Sequence, residues 1–428
     1  MNFSSIQFLS AWRGWRAWTC LSVLLGFVLG MSSGVRARDD KSLIDSCRYA
    51  DDAAAQAAWE PMAGTPPAVV ATIDGVKAPR LRCAFAGKSI ERASWDHRLH
   101  LDLSSCRGLQ FHFHCRDTAP VSHFSLYLQS GNHWYSTTFY PETSGWNTIT
   151  IDKSSMGIEG APAGWSAIRT IRVSAWRGGD GDTEFALCDL RKVGELGSDT
   201  LVALLRCDSA AREQPDEVRS IRQFTATVAH ALARAGVGHA TLSDLNLAPE
   251  TLRQAKLVIL PYNPTMPERI ADELASYLRT GGRLISFYGM PTRLRPVVQI
   301  NSAGYVRPDK PGAFAAMRFV TGAVLGAPTV VRQKSGNINE PRPVPGSSRV
   351  VAEWLDESGR ATGHAAIVAS STGVEVSHVL LDDDPAHKSR MLLALAGSLV
   401  PEIWRRAVDE RLAGLGRIAG YRDFLWRL

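Results

Sequence analysis

Hydrophobic and polar residues alternate in twos along the first part of the chain, from about residue 42 to residue 195. One segment shows the pattern clearly: Leu109, Gln110, Phe111, His112, Phe113, His114, Cys115. The same alternation returns between Phe124 and Gln129, between Trp146 and Ile151, and between Ile168 and Trp176. Short segments of period two, separated by turn residues and without helical stretches between them, predict a β-sandwich.

A different period begins after Ser198, where apolar runs alternate with amphipathic helical stretches. The predicted strands are Leu201 to Leu205, Leu257 to Leu260 and Leu284 to Phe287. The helices between them carry apolar residues at helical spacing: Val218, Ile221, Phe224, Val228 and Leu232 in the first, and Ile270, Leu274 and Leu278 in the second. Strands and helices in alternation predict an α/β domain with a parallel sheet.

The pattern is looser after Tyr288, and residues 291 to 348 are rich in Pro, Gly and Arg. One short helix is predicted there, from Ala313 to Phe319. Three further strands are predicted beyond it: Val350 to Leu355, Ala365 to Ala369 and Val374 to Leu381. Two helices are then predicted, from Pro385 to Leu399 and from about Ile403 to Ile418, and we expect the second to project from the domain.

The first 37 residues differ from the rest of the chain. They contain no acidic residue, carry Arg13 and Arg16, then run apolar from Ala17 to Met31 and end in Val35-Arg36-Ala37. This is typical of a secretory signal peptide cleaved near Ala37, which predicts a secreted or periplasmic protein. An uncleaved anchor is the alternative, but the apolar run is short for a membrane span. Cleavage would lower the formal charge from +6 to +3, which does not favour nucleic-acid binding.

Six cysteines follow the predicted signal peptide, and none of them form a C-x-x-C pair, which argues against a zinc site. Cys47 and Cys188, at the two ends of the first domain, are a plausible disulfide pair in an oxidising compartment. Cys83 and Cys115 share the phase of core residues, so buried free thiols are the simpler interpretation for them.

No G-x-G-x-x-G follows the strand at Leu201, and neither a cofactor nor a metal is predicted.

Both parts of the chain resemble modules of secreted glycosidases. The first resembles galactose-binding-like jelly rolls of the carbohydrate-binding type, on Leu43-Ile44-Asp45, the strand start Gly145-Trp146-Asn147-Thr148 and the closing strand Phe185 to Leu190. The second, from Leu257 to Gly289, resembles the class I glutamine amidotransferase-like, flavodoxin-like domain found in β-galactosidases. The resemblance implies a galactose-binding-like sandwich at 42–195, a degenerate amidotransferase-like domain at 199–404 and a C-terminal helical tail at 405–428.

The resemblance also bears on catalysis, because catalytic amidotransferases place a Cys at the strand-to-helix elbow. This chain has Phe287 and Tyr288 at that place, and neither side chain can act as the nucleophile. His378 with Asp382 to Asp384 falls roughly where such enzymes carry their late His and acid, but Asp384 as the cap of the following helix is the stronger interpretation. Asp208 and Ser209 lie where α/β folds bind ligands, or they only form a turn. No catalytic residue is predicted.

Two groups of side chains are candidates for ligand binding. The first comprises outward-facing residues of the alternating strands, which would form one surface if the strands were neighbours in one sheet: Gln110, His112, His114, Tyr127, Gln129, Arg172, Ser174 and Trp176. The aromatic rings of such a surface stack on sugar rings, and its polar groups form hydrogen bonds with sugar hydroxyls. The alternative is that the surface is only the solvent-exposed or interdomain face of a sheet, which has the same pattern. The second is the Trp134 and Tyr135 pair on a hairpin, which either grips a ligand or plugs the core.

These features favour a secreted, non-catalytic carbohydrate-binding or glycosidase-accessory protein whose partner is a polysaccharide or oligosaccharide. The alternatives are a glycoside hydrolase-related enzyme or a fragment of one, and a structural or oligomerisation module. The basic tail, with Leu412, Leu415 and Ile418, either packs back on the α/β domain or contacts a partner such as a second copy or a separate glycosidase domain. We favour the partner contact.

Overall fold

The structure, a computed structural model, describes residues 41–62, 64–308 and 310–419, with the side chains of the last helix described up to residue 412. The predicted signal peptide and the last nine residues of the predicted tail lie outside the described residues. Within the described residues, no helix has both the length and the apolar character needed to span a membrane.

Two six-stranded antiparallel sheets form the first part of the described chain. The first sheet has the order β3-β4-β12-β6-β9 with β1 beside β12, and the second has the order β10-β8-β7-β11-β5-β2. The strands are β1 Leu43–Asp45, β2 Glu60–Pro61, β3 Val69–Ile73, β4 Val76–Cys83, β5 Arg92–Leu101, β6 Gly108–Cys115, β7 Val121–Ser130, β8 His133–Phe139, β9 Gly145–Asp152, β10 Gly157–Glu159, β11 Ile168–Arg177 and β12 Thr183–Val193. One short helix, α1 Asp52–Ala58, lies between β1 and β2.

Aromatic side chains from both sheets meet in one apolar core. Phe113 and Phe185 of the first sheet contact Phe124 of the second, with ring centroids 4.8 and 5.5 Å from it. Trp95, also from the second sheet, packs edge-on against Phe185 at 5.3 Å. All of these side chains are buried, as the alternation of period two predicts for residues of one phase. The prediction of short β-strands in this part is therefore confirmed, and the strands pair antiparallel.

A nine-stranded mixed sheet forms the second part, in the order β14-β13-β15-β16-β23-β22-β21-β18-β19. Its strands are β13 Val202–Arg206, β14 Ala240–Ser243, β15 Leu257–Leu260, β16 Arg283–Phe287, β18 Phe314–Phe319, β19 Val330–Ser335, β21 Ser348–Leu355, β22 Ala361–Ser370 and β23 Gly373–Val376. The first five strands in this order are parallel, as predicted, but the last four extend the sheet with antiparallel pairings. A separate pair, β17 Ile300–Val306 and β20 Ile338–Pro343, is also antiparallel. The prediction of a purely parallel sheet was therefore too simple.

The helix predicted from Ala313 to Phe319 is wrong, because this segment is strand β18. Its pairing with β19 shifts register between Phe314 and Ala316, so Phe314 and Met317 are both buried. A register irregularity of this kind changes the phase of a strand and produces the three-residue spacing of a helix. The strand predicted from Val374 to Leu381 also ends earlier, at Val376.

Helices cover both faces of the parallel strands. They are α2 Asp208–Glu213, α3 Val218–Arg234, α4 Pro249–Arg253, α5 Glu268–Arg279, α6 Arg295–Val298, α7 Pro385–Leu399 and α8 Glu402–Ala419. Val228 of α3 and Leu392 of α7 pack with Ile259 on one face, and Leu274 of α5 packs with Val258 on the other. Consecutive residues of β15 are therefore both buried, because each face of the sheet has its own helical layer.

The last helix packs on the rest of the protein along its first turns. Ile403 and Ala407 of α8 are buried, and the guanidinium of Arg411 donates to the carbonyl oxygens of Arg234 and Ala235 at the end of α3. The expectation that this helix simply projects is wrong for its first ten residues. Val408 and Leu412 are exposed.

Candidate functional site

The outward face of the second sheet carries aromatic and arginine side chains on neighbouring strands. In the register of the sheet, Arg172 of β11 lies opposite Tyr127 of β7 on one side and Asp96 of β5 on the other. Trp176 of the same strand lies opposite His123 and Arg92, and Trp134 of β8 lies opposite Gln129. We call this surface the aromatic face and define it by Arg92, Asp96, Tyr127, Gln129, Trp134, Arg172 and Trp176. Each of these residues is partly exposed.

Arg172 is fixed at the centre of the aromatic face. Its Nε and Nη2 donate to the two carboxylate oxygens of Asp96 at 2.6 and 2.8 Å, and its guanidinium lies 4.6 Å from the ring centroid of Trp134. The bidentate hydrogen bonds to Asp96 raise the pKa of Arg172. The pair leaves a planar cation stacked beside an indole, a geometry that arginine forms and lysine does not.

Trp176 and Tyr127 are held by other polar contacts of the same face. Trp176 Nε1 donates to Ser125 Oγ at 2.8 Å, and its ring stacks on His123 with centroids 5.4 Å apart. The Arg92 guanidinium lies 4.8 Å from the Trp176 ring and 5.8 Å from the Tyr127 ring. The Tyr127 ring meets Trp134 edge-on at 6.2 Å. The aromatic face is therefore ordered before any ligand arrives.

The sequence prediction that His112 and His114 belong to this surface is wrong. They lie on β6, which pairs with β9 and β12 in the first sheet, whereas Tyr127 and Arg172 lie on strands of the second. The same holds for Gln110. His114 is buried, with Nε2 3.2 Å from Asp74 Oδ2, and His112 is about half exposed. Strands β6 and β7, which follow each other in sequence, belong to different sheets.

The hairpin pair Trp134 and Tyr135 divides between the surface and the core. Trp134 lies on the aromatic face, whereas Tyr135 is buried and stacks on Trp165 with centroids 3.6 Å apart. Burial raises the pKa of Tyr135. Tyr135 is therefore part of the apolar core and does not belong to the exposed aromatic face.

Sequence reasoning missed Arg92 and Asp96, although a signal for them exists. Arg92, Ser94, Asp96 and Arg98 alternate with Ala93, Trp95 and His97 along β5. This is the same period of two that identified the other strands. Pairing of β5 with β11 then brings Asp96 to Arg172, which the sequence does not reveal.

The elbow after β16 has no nucleophile. Phe287 is buried, and Tyr288 takes the left-handed backbone conformation with φ 55° and donates its hydroxyl hydrogen to Asn337 Oδ1 at 2.6 Å. The ring of His378 meets the Tyr288 ring edge-on at 5.5 Å. Burial lowers the pKa of His378 to about 4, so the imidazole is neutral at pH 7.

Two of the three acids near His378 in sequence contact other residues. Asp383 pairs with Lys388, and Asp384 accepts from the Arg332 backbone N–H at 3.0 Å and lies 2.8 Å from His387 Nδ1. Asp384 precedes α7 but makes no side-chain capping bond, so the predicted cap is wrong. His378 Nδ1 lies 3.0 Å from the Val379 carbonyl oxygen.

Asp208 and Ser209, at the end of β13, are bonded internally. Arg206 Nε donates to Asp208 Oδ1 at 2.6 Å with both side chains buried, and the Ser209 backbone N–H donates to Asp244 Oδ1 at 2.9 Å. Burial raises the pKa of Asp244. Asp208 and Ser209 therefore begin helix α2 and contact neighbouring side chains, rather than forming the turn that the sequence left as an alternative.

No protein-family model matches the sequence. No curated protein matches it either. The solved structures similar to it include a β-galactosidase from Rahnella sp., with 17% identity and a TM-score of 0.37 over 47% of this chain and 31% of that one. A ThuA-like protein from Bacteroides uniformis matches over 47% of this chain and 91% of its own, with 10% identity and a TM-score of 0.36. A family 11 carbohydrate-binding module from Clostridium thermocellum matches over 36% of this chain and 94% of its own, with 12% identity and a TM-score of 0.27. The chain thus spans less than a third of the β-galactosidase it matches.

Proposed function

We propose that this chain binds carbohydrate through the aromatic face of its second sheet. The observation that carries the proposal is the placement of Tyr127, Trp134 and Trp176, three partly exposed aromatic rings on one sheet face. Apolar ring faces stack on the C–H faces of sugars, and several aromatic rings left partly exposed on one face indicate a contact surface.

The length of the aromatic face suits an oligosaccharide better than a single sugar. Trp134 lies at the level of Gln129, and Trp176 lies at the level of His123, six residues along β7. At about 3.3 Å per residue these levels are roughly 20 Å apart. Several consecutive rings of a chain would therefore be needed to reach from one indole to the other.

The polar groups of the face complement hydroxyl groups. Arg92 and Arg172 offer N–H donors, Asp96 offers a carboxylate, and all three are already held by the neighbours described above. Side chains fixed before binding lose less conformational entropy when the ligand arrives. A neutral glycan that both donates and accepts hydrogen bonds fits this mixture of charges.

The proposed role is non-catalytic. An acyl-transfer enzyme needs a thiolate or an activated hydroxyl at the elbow. This chain has Tyr288 there, and burial raises the pKa of its hydroxyl.

We further propose that residues 42–195 form a galactose-binding-like jelly roll and residues 199–404 a degenerate amidotransferase-like domain. On this proposal the protein is secreted or periplasmic and acts beside a glycosidase, as an accessory or as a module of one.

The proposal is tested by affinity electrophoresis and calorimetry of the pure protein against plant and algal polysaccharides. We expect at least one glycan to retard the protein, and the Tyr127→Ala, Trp176→Ala double variant to bind it roughly fivefold to a hundredfold more weakly. Aromatic contacts contribute roughly 0.5–1.5 kcal/mol each, and about 1.4 kcal/mol corresponds to a factor of ten.

Tyr140→Ala is the matched control, because Tyr140 is an exposed aromatic residue just after β8, outside the aromatic face. It should bind like the wild type. Absence of retardation by every glycan, or equal binding by the double variant, would contradict the proposal.

A further inference from the structure

Three side chains of metal-ligating type lie together on the outward face of the first sheet. His112 of β6 is directly opposite Cys188 of β12 in the strand register, and Asp189 follows Cys188. The ring nitrogen, thiol sulfur and carboxylate oxygen that these residues offer all lie within 4.8 Å of one another. They form a compact set of nitrogen, sulfur and oxygen donors.

An irregularity of β12 creates this arrangement. Consecutive side chains of a regular strand point to opposite faces, so Cys188 and Asp189 would normally be separated by the sheet. The register of β12 against β6 shifts between Cys188 and Arg191, and Asp189 has φ 53°. The Asp189 carboxylate oxygen Oδ2 thereby comes to 3.9 Å from His112 Nδ1. Bulges that re-aim a side chain are frequent next to functional sites.

Cys47, near Asp189, also has a left-handed backbone conformation. Cys47 has φ 56°, and the backbone N–H of Asp189 donates to the carbonyl oxygen of the preceding residue, Ser46, at 3.2 Å. Residues other than glycine adopt this conformation at a cost of about 1 kcal/mol or more, and such strain tends to persist at binding sites. The residues that follow β1 therefore lie beside Asp189, whereas His112 is about half exposed.

We propose that His112, Cys188 and Asp189 bind a divalent ion of the zinc class. Imidazole and thiolate ligands select zinc and similar ions over calcium and magnesium, which take oxygen ligands. A four-coordinate ion held by three protein ligands would take a water molecule as its fourth ligand. On binding, the Cys188 thiol releases its proton to solvent and the sulfur bonds to the metal.

Arg48 competes with the metal for Asp189. Its Nη2 lies 3.3 Å from Asp189 Oδ2, and the Arg48 side chain is 59% exposed. An exposed arginine can leave this contact without exposing any buried group, whereas Cys188 is 1% exposed and stays in place. Removing the Arg48 charge should therefore strengthen metal binding.

Cobalt(II) titration of the reduced, EDTA-treated protein tests the proposal. We expect stoichiometric binding with a thiolate-to-cobalt charge-transfer absorption, which zinc then displaces. Cys188→Ser should abolish the absorption, His112→Ala should weaken binding roughly tenfold or more, and Arg48→Met should tighten it. His112→Ala and Arg48→Met change exposed side chains, so both keep the test valid if Cys188→Ser unfolds the protein.

Cys115→Ser and His100→Ala are the matched controls, because they remove another buried thiol and an exposed imidazole elsewhere. Both should bind cobalt like the wild type. The proposal is overturned if the reduced wild type shows no charge-transfer absorption, if His112→Ala binds as tightly as the wild type, or if peptide mapping of the unreduced protein finds a Cys47–Cys188 disulfide.

Discussion

His378 shows how a single buried side chain makes stability depend on pH. Burial holds its pKa near 4, below the ordinary value of 6.5. Between about pH 6.5 and pH 4, His378 is therefore protonated in the unfolded chain but neutral in the folded chain. The stabilising contribution of neutral His378 is fully present above pH 6.5 and is lost as the pH falls towards 4.

We predict that His378→Gln weakens this acid sensitivity. Each pKa unit corresponds to roughly 1.4 kcal/mol, so the wild type should lose about 3 kcal/mol more unfolding free energy than the variant between pH 7 and pH 4. Urea unfolding at several pH values measures the difference. His100→Gln, at an exposed position, should keep the wild-type pH dependence. Parallel curves for wild type and His378→Gln would show that His378 titrates normally.

The sequence predicts a strand wherever every second residue is buried, because this signal does not depend on which strand lies beside it. The alternation identifies the strands that carry Tyr127, Arg172 and Trp176, and it correctly turns these side chains away from the core. Trp134 was placed only on a hairpin, with its role left open. The alternation fails for His112, because the sheet to which a strand belongs depends on contacts with residues far away in sequence.

Local irregularities explain the remaining differences. The register shift in β18 imitates helical spacing, and the bulge in β12 brings Asp189 to the face of Cys188. The pattern of hydrophobic and polar residues does not identify either irregularity as a bulge, since a bulge is a property of two paired strands. In the antiparallel extension of the mixed sheet, the strands β21 and β22 were predicted, whereas β18 and β19 lie in the segment 291–348 that is rich in turn residues. The direction in which these strands pair depends on contacts between residues far apart in sequence.

Two truncations of helix α8 should have different effects on stability. Removal of residues 408–428 takes away, among the described contacts, the two Arg411 hydrogen bonds to the end of α3, while Ile403 and Ala407 stay in the core. Removal of residues 402–428 also exposes the surface that these two side chains cover. We therefore expect a midpoint shift of at most a few degrees for the shorter deletion and a larger drop for the longer one, since about 1 kcal/mol corresponds to roughly 2–4 °C for a domain of this size.

Thermal melts of both truncations, with light scattering, measure these effects. If the tail contacts a partner or a second copy, the shorter truncation should lower self-association without a large midpoint change. Equal midpoint drops for the two truncations would show that residues 408–428 belong to the core.

At the scale of the whole molecule, buried polar contacts join the two-sheet part to the mixed sheet. Arg206 at the end of β13 donates from Nη1 to the Lys153 carbonyl oxygen at 2.8 Å, and both cations lie within 6 Å of the Trp165 ring. Lys153 is fully buried, and burial lowers its pKa to about 8. If the two parts separated, the Arg206 guanidinium would lose its contacts with the Lys153 carbonyl oxygen and the Trp165 ring. We therefore expect one cooperative unfolding transition for residues 42–428.

Arg206→Met tests this coupling. The substitution leaves the buried Asp208 carboxylate without its cation, and loss of one partner from a buried pair costs about 3–5 kcal/mol. Adding Asp208→Asn should recover part of that loss, because the amide is neutral. Arg212→Met is the control: Arg212 also crosses to the first part, donating to the Pro162 carbonyl oxygen at 2.6 Å, but it is exposed and pairs with no buried charge. In calorimetry, we expect Arg206→Met to show one unfolding transition at a lower midpoint temperature. Two transitions, one of them at the wild-type midpoint, would mean that the two-sheet part unfolds independently of the mixed sheet.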